Sequence, residues 1–364
     1  MKILFVITSL RTGGAERLVS DMIPEMIALG HDVDIFLFDG SDTPLLNELK
    51  KKNISISYGG KGILQMWNPL HIFKIGKLIR NGNYDIVHSH NSPAQILTSL
   101  ISKNPRTKFV TTEHNTTNNR RKYFFLKWID PYIYRSYDHT VCVSEKTRDN
   151  LIKDVRINLE KVSVIPNGIN LLSYSPETRK EFTSPLPAVN PGDKIILMTG
   201  AFRKQKDQPT LIRAMALLPS NYKLWLAGGW KLKEKAEILS QSLGLSERIS
   251  FLGIRNDIPA LMHLADLNVL ATHYEGMPLS VIEAMASGKP FIASDVPGVS
   301  DIACDAAYLV PESDPNALAK AIVNVLENPL LSDEISTKCM KRAAQFDIKN
   351  TVMAHISLYK RICL

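Results

Sequence analysis

The stretch LNVLATHYEGMPLSVIEAMASGKP, residues 267–290, holds one complete structural unit. Its first five residues are the width of a buried strand, and Gly276 and Pro278 suit a tight loop followed by the first turn of a helix. Gly288 sits where a helix should have just ended. The reading is therefore strand, loop, helix, with Glu275 at the carboxyl edge of the strand and Glu283 one to two turns into the helix. Ligands of an open α/β sheet bind at that edge. The helix start offers N–H groups and a positive dipole end to a diphosphate, which leaves carboxylates to accept hydrogen bonds from sugar hydroxyls. The competing reading makes Glu283 a solvated helix residue.

The same alternation runs outward in both directions. Toward the amino terminus, β-branched runs recur at 2–8, 33–38, 54–58, 84–89, 108–112, 140–144 and 162–165, separated by helical patterns. Around the opening stretch they recur at 194–199, 223–227, 249–252, 267–271, 290–294 and 308–310. Strands alternating with helices predict parallel sheets wrapped by helices. The proline-rich and polar stretch SYSPETRKEFTSPLPAVNPGD, 173–193, interrupts the pattern and reads as a linker. The chain is thus an α/β protein with two Rossmann-like parallel-sheet domains, 1–172 and 194–342, and a helical segment 343–364 whose docking the pattern leaves open.

With 364 residues and 45% hydrophobic content, the chain has enough apolar material for two packed cores. A net charge of +8 suits an acidic partner without selecting one. The four cysteines lie far apart, unlike a zinc site or a disulfide scaffold, and read as free thiols in a reducing cytoplasm. MKILFVITSL followed by RTGGAER is a buried strand rather than a signal peptide. No apolar run reaches the roughly 18–20 residues that span a bilayer, so membrane contact is expected to be peripheral.

Directly after the first strand, Gly13 and Gly14 in TGGAER allow main-chain N–H groups to approach a phosphate, or serve only the dihedrals of a turn. The segment lacks G-x-G-x-x-G, which disfavours a dinucleotide site. In DIVHSHN, 85–91, alternation puts His88 and His90 on one face of a strand, lining an acceptor side or packing under it. Asp32 and Asp34 match D-x-D but open a strand after a turn, where solvated residues are expected, and no other cluster has metal-ligand spacing.

The run EGMPLSVIEAMASGKP strongly resembles glycosyltransferase family 4, whose signature is two glutamates separated by seven residues. GGAER after the first strand, VIPNGI at 164–169, FLG at 251–253 and the glutamate motif occur in the family's order, so the resemblance spans essentially the whole chain. It implies the GT-B architecture, two such domains facing a central cleft, with retention of anomeric configuration and no metal or cofactor. It also implies roles. Glu283 binds the ribose of a nucleotide-sugar donor, Glu275 and His114 approach the donor sugar, and Gly276 with the amides of Met277, Leu279 and Gly14 lies near the diphosphate. Lys206, in GAFRKQKD, matches the lysine that neutralises the departing diphosphate. The family often has arginine where Ala201 stands, and Arg203 is a neighbouring source of that second charge.

These roles predict a retaining hexosyl transfer to a glycan acceptor, in which Lys206 and oriented amides stabilise the charge left on the diphosphate. Competing readings are a sugar-nucleotide epimerase of the same fold, a two-carboxylate hydrolase, which lacks an evident nucleophile, and a non-catalytic sugar-binding protein. No nucleic acid is expected as a partner. Seven aromatic residues fall between Tyr123 and Tyr137, beside Arg120, Arg121 and Lys122. That mixture suits an interfacial segment that docks on the cytoplasmic membrane face and meets a polyprenyl-diphosphate acceptor used in cell-surface polysaccharide assembly.

Overall fold

A computed structural model describes residues 1–11, 13–52, 54–102, 104–115, 124–175 and 182–364, without the side chains of 124–127. It divides into two compact units, Met1–Gly168 with Ile348–Leu364, and Ile169–Asp347.

In the first unit the order is β1 (Lys2–Ile7), α1 (Gly14–Ala28), β2 (Asp32–Asp39), α2 (Pro44–Lys50), β3 (Ser55–Gly60), α3 (His71–Gly82), β4 (Ile86–His90) and α4 (Ser92–Ser99). It continues with β5 (Lys108–Glu113), α5 (Phe124–Arg135), β6 (His139–Cys142), α6 (Glu145–Val155) and β7 (Val162–Val164). The seven strands are parallel in the order β3-β2-β1-β4-β5-β6-β7. Strand alternation divides the core between the two sheet faces. Ile3, Phe5 and Ile7 pack with residues of α1 and α2, while Leu4 and Val6 pack with residues of α3, α4 and α5.

The second unit runs β8 (Lys194–Thr199), α7 (Gln208–Met215), β9 (Tyr222–Ala227), α8 (Lys233–Ser242), β10 (Ile249–Gly253), α9 (Ile258–Leu264) and β11 (Leu267–Leu270). There follow α10 (Leu279–Ala286), β12 (Phe291–Ser294), α11 (Ser300–Ala303), β13 (Tyr308–Val310), α12 (Pro315–Glu327) and α13 (Pro329–Ala343). Its six parallel strands take the order β10-β9-β8-β11-β12-β13. The described end of the 173–193 stretch lies within this unit rather than between units. Buried Arg255 explains why, donating to the Ser184 and Pro185 carbonyls and pairing with Asp257, which accepts from the Thr183 amide at 2.7 Å.

The chain then returns to the first unit. Helix α14 (Ile348–Cys363) buries Val352, Ile356 and Tyr359 in the cluster that includes Leu18 and Met22 of α1. Burying each such side chain contributes about 1.5–3 kcal/mol. The segment 343–364 is accordingly split, with α13 and residues up to Asp347 in the second unit and α14 in the first. Among the described residues no helix is long and apolar enough to cross a membrane.

Candidate functional site

In both sheets the strand order reverses once, between β1 and β4 and between β8 and β11. The crevice outside the carboxyl ends of the strands at such a switch point is the binding position of open α/β sheets. The sequence motifs arrive at these two places.

At the second unit's switch point, the loop after β8 and the loop after β11 are stitched by an antiparallel bridge between Lys206 and Thr272. The Asp207 amide donates to the Ala271 carbonyl at 3.0 Å, and the His273 amide to the Gln205 carbonyl at 2.9 Å. This pairing delivers the Lys206 ammonium to the Glu275 carboxylate, 2.6 Å from Nζ to Oε1. Gln205 Nε2 donates to Glu275 Oε2 at 2.7 Å, and Thr272 Oγ1 lies 2.9 Å from Oε1. Glu275 is only 6% exposed, so these partners replace the water it has lost. The loop's backbone is held by Gly298, whose φ is +86° and where an added Cβ would lie 2.4 Å from the Glu275 carbonyl oxygen. That approach excludes any side chain.

Pro278 is the N-cap residue of α10 and no side chain caps the helix's first turn. The Val281 amide donates to the Pro278 carbonyl at 3.1 Å, and Pro278 offers no side chain to the amides ahead of it in the turn. The side chains of Met277 and Leu279 are buried and anchor the loop, and half-buried Glu283 stands in the second turn. Beside Lys206, a groove of about 390 Å³ is lined by Arg203, Lys204, Lys235, His273 and Phe202 among others. Arg203 is exposed, with its guanidinium 4.3 Å from the Trp230 ring centroid. Trp230 itself holds φ at +112°, a conformation that costs of order 1–3 kcal/mol and clusters at functional sites.

At the first unit's switch point, Gly13 has φ −175°, an extended value open to any residue. Its smallness matters instead, because a Cβ there would lie 2.1 Å from Glu16 Oε2. Glu16 folds back over this turn and accepts from Asn91 Nδ2 at 3.0 Å. Gly14 is exposed and begins α1. At the end of β5, half-buried His114 places Nε2 3.0 Å from His90 Nδ1. His90 Nε2 is buried without a partner. Which ring donates in the His90–His114 contact follows from the tautomers of the two rings. Burial, then the neighbouring His355, push the His114 pKa down to about 4, which keeps the ring neutral.

His88 and His90 do not line an acceptor surface: both are fully buried. His88 Nδ1 lies 2.5 Å from the Tyr359 hydroxyl of α14, and its Nε2 lies 2.8 Å from Thr112 Oγ1. Strand alternation put both rings on the face that α14 covers, and the motif alone did not reveal that cover. Of the D-x-D pair, Asp32 is exposed near Lys2 and Asp34 accepts from the Tyr84 hydroxyl. Arg120, Arg121 and Lys122 lie outside the described residues. Gln205, Thr272, Glu16 and Asn91 were not singled out for their chemistry. Each lies inside a quoted stretch, but its role depends on a contact that no local pattern encodes.

Two family profiles match the chain: the one described as Glycosyltransferase Family 4 over residues 12–171, and the one described as Glycosyl transferases group 1 over residues 180–346. The UDP-Gal:alpha-D-GlcNAc-diphosphoundecaprenol alpha-1,3-galactosyltransferase of Escherichia coli is 24% identical over 295 residues, covering 77% of this chain and 74% of its own. The N-acetylgalactosamine-N,N'-diacetylbacillosaminyl-diphospho-undecaprenol 4-alpha-N-acetylgalactosaminyltransferase of Campylobacter jejuni is 25% identical over 357 residues, 95% of this chain and 96% of its own. Among solved structures, Anabaena HepE in complex with UDP and glucose superposes with a TM-score of 0.83 at 21% identity, over 99% of this chain and 100% of that one. That likeness concerns the fold.

Proposed function

The chain belongs to glycosyltransferase family 4, with the GT-B fold, and from that premise we propose that it transfers a sugar, with retention of configuration, from a nucleotide diphosphate donor to a lipid-diphosphate-linked glycan in cell-surface polysaccharide assembly. The observation that carries this reading is the Lys206–Glu275 pair at a sheet switch point, beside a helix whose first turn has no side-chain cap. One such place supplies a cation and helix-start amides for a diphosphate and a carboxylate for sugar hydroxyls.

In this reading Lys206, the amides of Met277 and Leu279, and Gly276 surround the diphosphate, with Arg203 at the groove beside it. Glu283 takes the ribose. When the anomeric bond breaks, negative charge grows on the departing diphosphate, and a fixed cation with aligned amides stabilises that charge more than it does the bound donor. His114, a neutral ring, and Gly14 are the first unit's candidates, His114 for the sugar and Gly14 for the diphosphate. With Lys206 as the cation, the reaction runs without an added metal or cofactor. The two enzymes quoted above carry diphosphoundecaprenol in their names, which supports the same acceptor class at the cytoplasmic membrane face.

The test is a screen of nucleotide sugars, UDP-hexoses first, with a short-chain prenyl-diphosphate sugar as acceptor. Nucleotide diphosphate release that depends on the acceptor, an α-linked product from an α-linked donor, and unchanged rates in chelator are expected. Isomerisation of the free donor without transfer, an inverted product, or a strict requirement for divalent cation would each overturn the corresponding part.

A further inference from the structure

The first unit exposes a run of large apolar side chains that its own fold does not cover. Between β3 and α3 the chain makes a 3₁₀ turn, Ile63–Trp67, with no buried residue. Leu64 is 88% exposed, Trp67 61% and Phe73 73%, with Ile63 and Leu70 also exposed. Helix α3 explains the split, burying His71, Ile75 and Ile79 against the sheet while Phe73, Lys77 and Arg80 point away. Single exposed apolar residues need no account, but five within eleven positions mark an interaction surface.

Charge narrows what covers it to an anionic surface. From position 61 to 84 the chain carries Lys61, Lys74, Lys77 and Arg80 and no carboxylate. Lys61 lies 3.7 Å from Asp42 and Lys74 donates to the Gly59 carbonyl, whereas Lys77 and Arg80 have no ion-pair partner among the described residues. Exposed apolar side chains that include tryptophan, with unpaired cations following them in the chain, are the composition of a segment lying in a lipid interface. On the same side of the sheet, α4 packs between α3 and α5, and α5 exposes Trp128, Ile129 and Tyr132.

We propose that the segment from Lys61 to Arg80 docks the first unit onto an anionic phospholipid bilayer, inserting Leu64, Trp67 and Phe73 and resting Lys77 and Arg80 on the headgroups. The choice of a bilayer over a protein partner rests on the lipid-linked acceptor proposed above. An enzyme that extends such an acceptor works where the lipid is.

Sedimentation with vesicles of phosphatidylglycerol and phosphatidylcholine tests this. Leu64→Ser, Trp67→Ser and Phe73→Ser combined should weaken vesicle affinity at least about tenfold, and Lys77→Glu with Arg80→Glu should remove its salt dependence. A soluble short-chain acceptor should be used equally well by both variants, because none of these residues lies at the sheet switch points. Vesicle binding unchanged in both variants would overturn the proposal. So would a shift from dimer to monomer by light scattering with vesicle binding intact, since it would assign the face to a second copy. Wild-type protein that binds vesicles but transfers to no acceptor would sink the functional reading and leave the docking surface standing.

Discussion

Lys206 Nζ and Glu275 Oε1, 69 positions apart in the chain, lie 2.6 Å apart, so the cation proposed for the diphosphate and the carboxylate proposed for the sugar form one ion pair. Removing either partner leaves the other with part of its solvation missing. Lys206→Ala should lower transfer efficiency by about ten- to a hundredfold, the equivalent of a charged hydrogen bond. Adding Glu275→Gln should cost less than the two single effects together. Steady-state nucleotide release measures both, and strictly additive losses would show that the pair does not act as a unit.

His90 offers a second test. If its Nδ1–H sets the tautomer of His114, then Asn at position 90, whose amide N–H can stand near that nitrogen, should keep most activity. His90→Leu should lose about tenfold, the worth of one hydrogen bond. Nitrogen-15 spectra of the histidine rings give a readout independent of turnover, with the His114 proton on Nδ1 in the wild type and moving toward Nε2 in His90→Leu. The same tautomer in both proteins would dismiss His90 as the positioning residue.

All thirteen strands among the described residues were legible, the central ones because a parallel strand buried on both faces is a short apolar run, and the less buried β3, β7, β10 and β13 because the strand–helix alternation leaves a place for each. The glutamate loop was legible too, since Gly276, Pro278 and Gly288 each mark a backbone requirement. What escaped depends on encounters between distant segments. The apolar stripe Val352, Ile356, Tyr359 announces a buried helix face without naming the unit that buries it, and the histidines of β4 look available until that helix lies on them. The roles of Gln205 and Gly298 are equally invisible, the first because it acts only through Glu275 and the second because its φ answers to a loop 23 positions earlier.

Acid should weaken the first unit specifically. His355 and His139 are held at about 4, His355 by burial against one opposing backbone hydrogen bond, His139 by burial and then the positive Arg361 and Lys161. Both folded values lie below the unfolded one of about 6.5, so protonation favours the unfolded chain. Their contribution is complete above about pH 6.5 and is lost as pH falls toward 4, at about 1.4 kcal/mol per pH unit for each ring. The unfolding midpoint should therefore drop across that window, with a shallower slope in His355→Phe. A midpoint that stays level from pH 7 to pH 5 would refute this.

Arg255 and Asp257 make the corresponding buried pair of the second unit, 2.5 Å apart, with Arg255 also holding the Ser184 and Pro185 carbonyls. Arg255→Met strands a buried carboxylate and should cost about 3–5 kcal/mol. Replacing both, as Arg255→Met with Asp257→Leu, should recover part of it. Denaturant unfolding distinguishes these, and protease cleavage within 182–185 should quicken in the single variant.

Helix α14 gives the molecule an order of completion. The amino-terminal sheet is made first by the ribosome, yet the face that α14 covers stays open until the last residues of this segment emerge, after the whole second unit has been synthesised. The later-encoded unit is contiguous and can close while the earlier one still waits. Anyone exchanging the second unit between relatives must therefore cut twice, near 168 and near 347, and leave the returning helix with the sheet it covers.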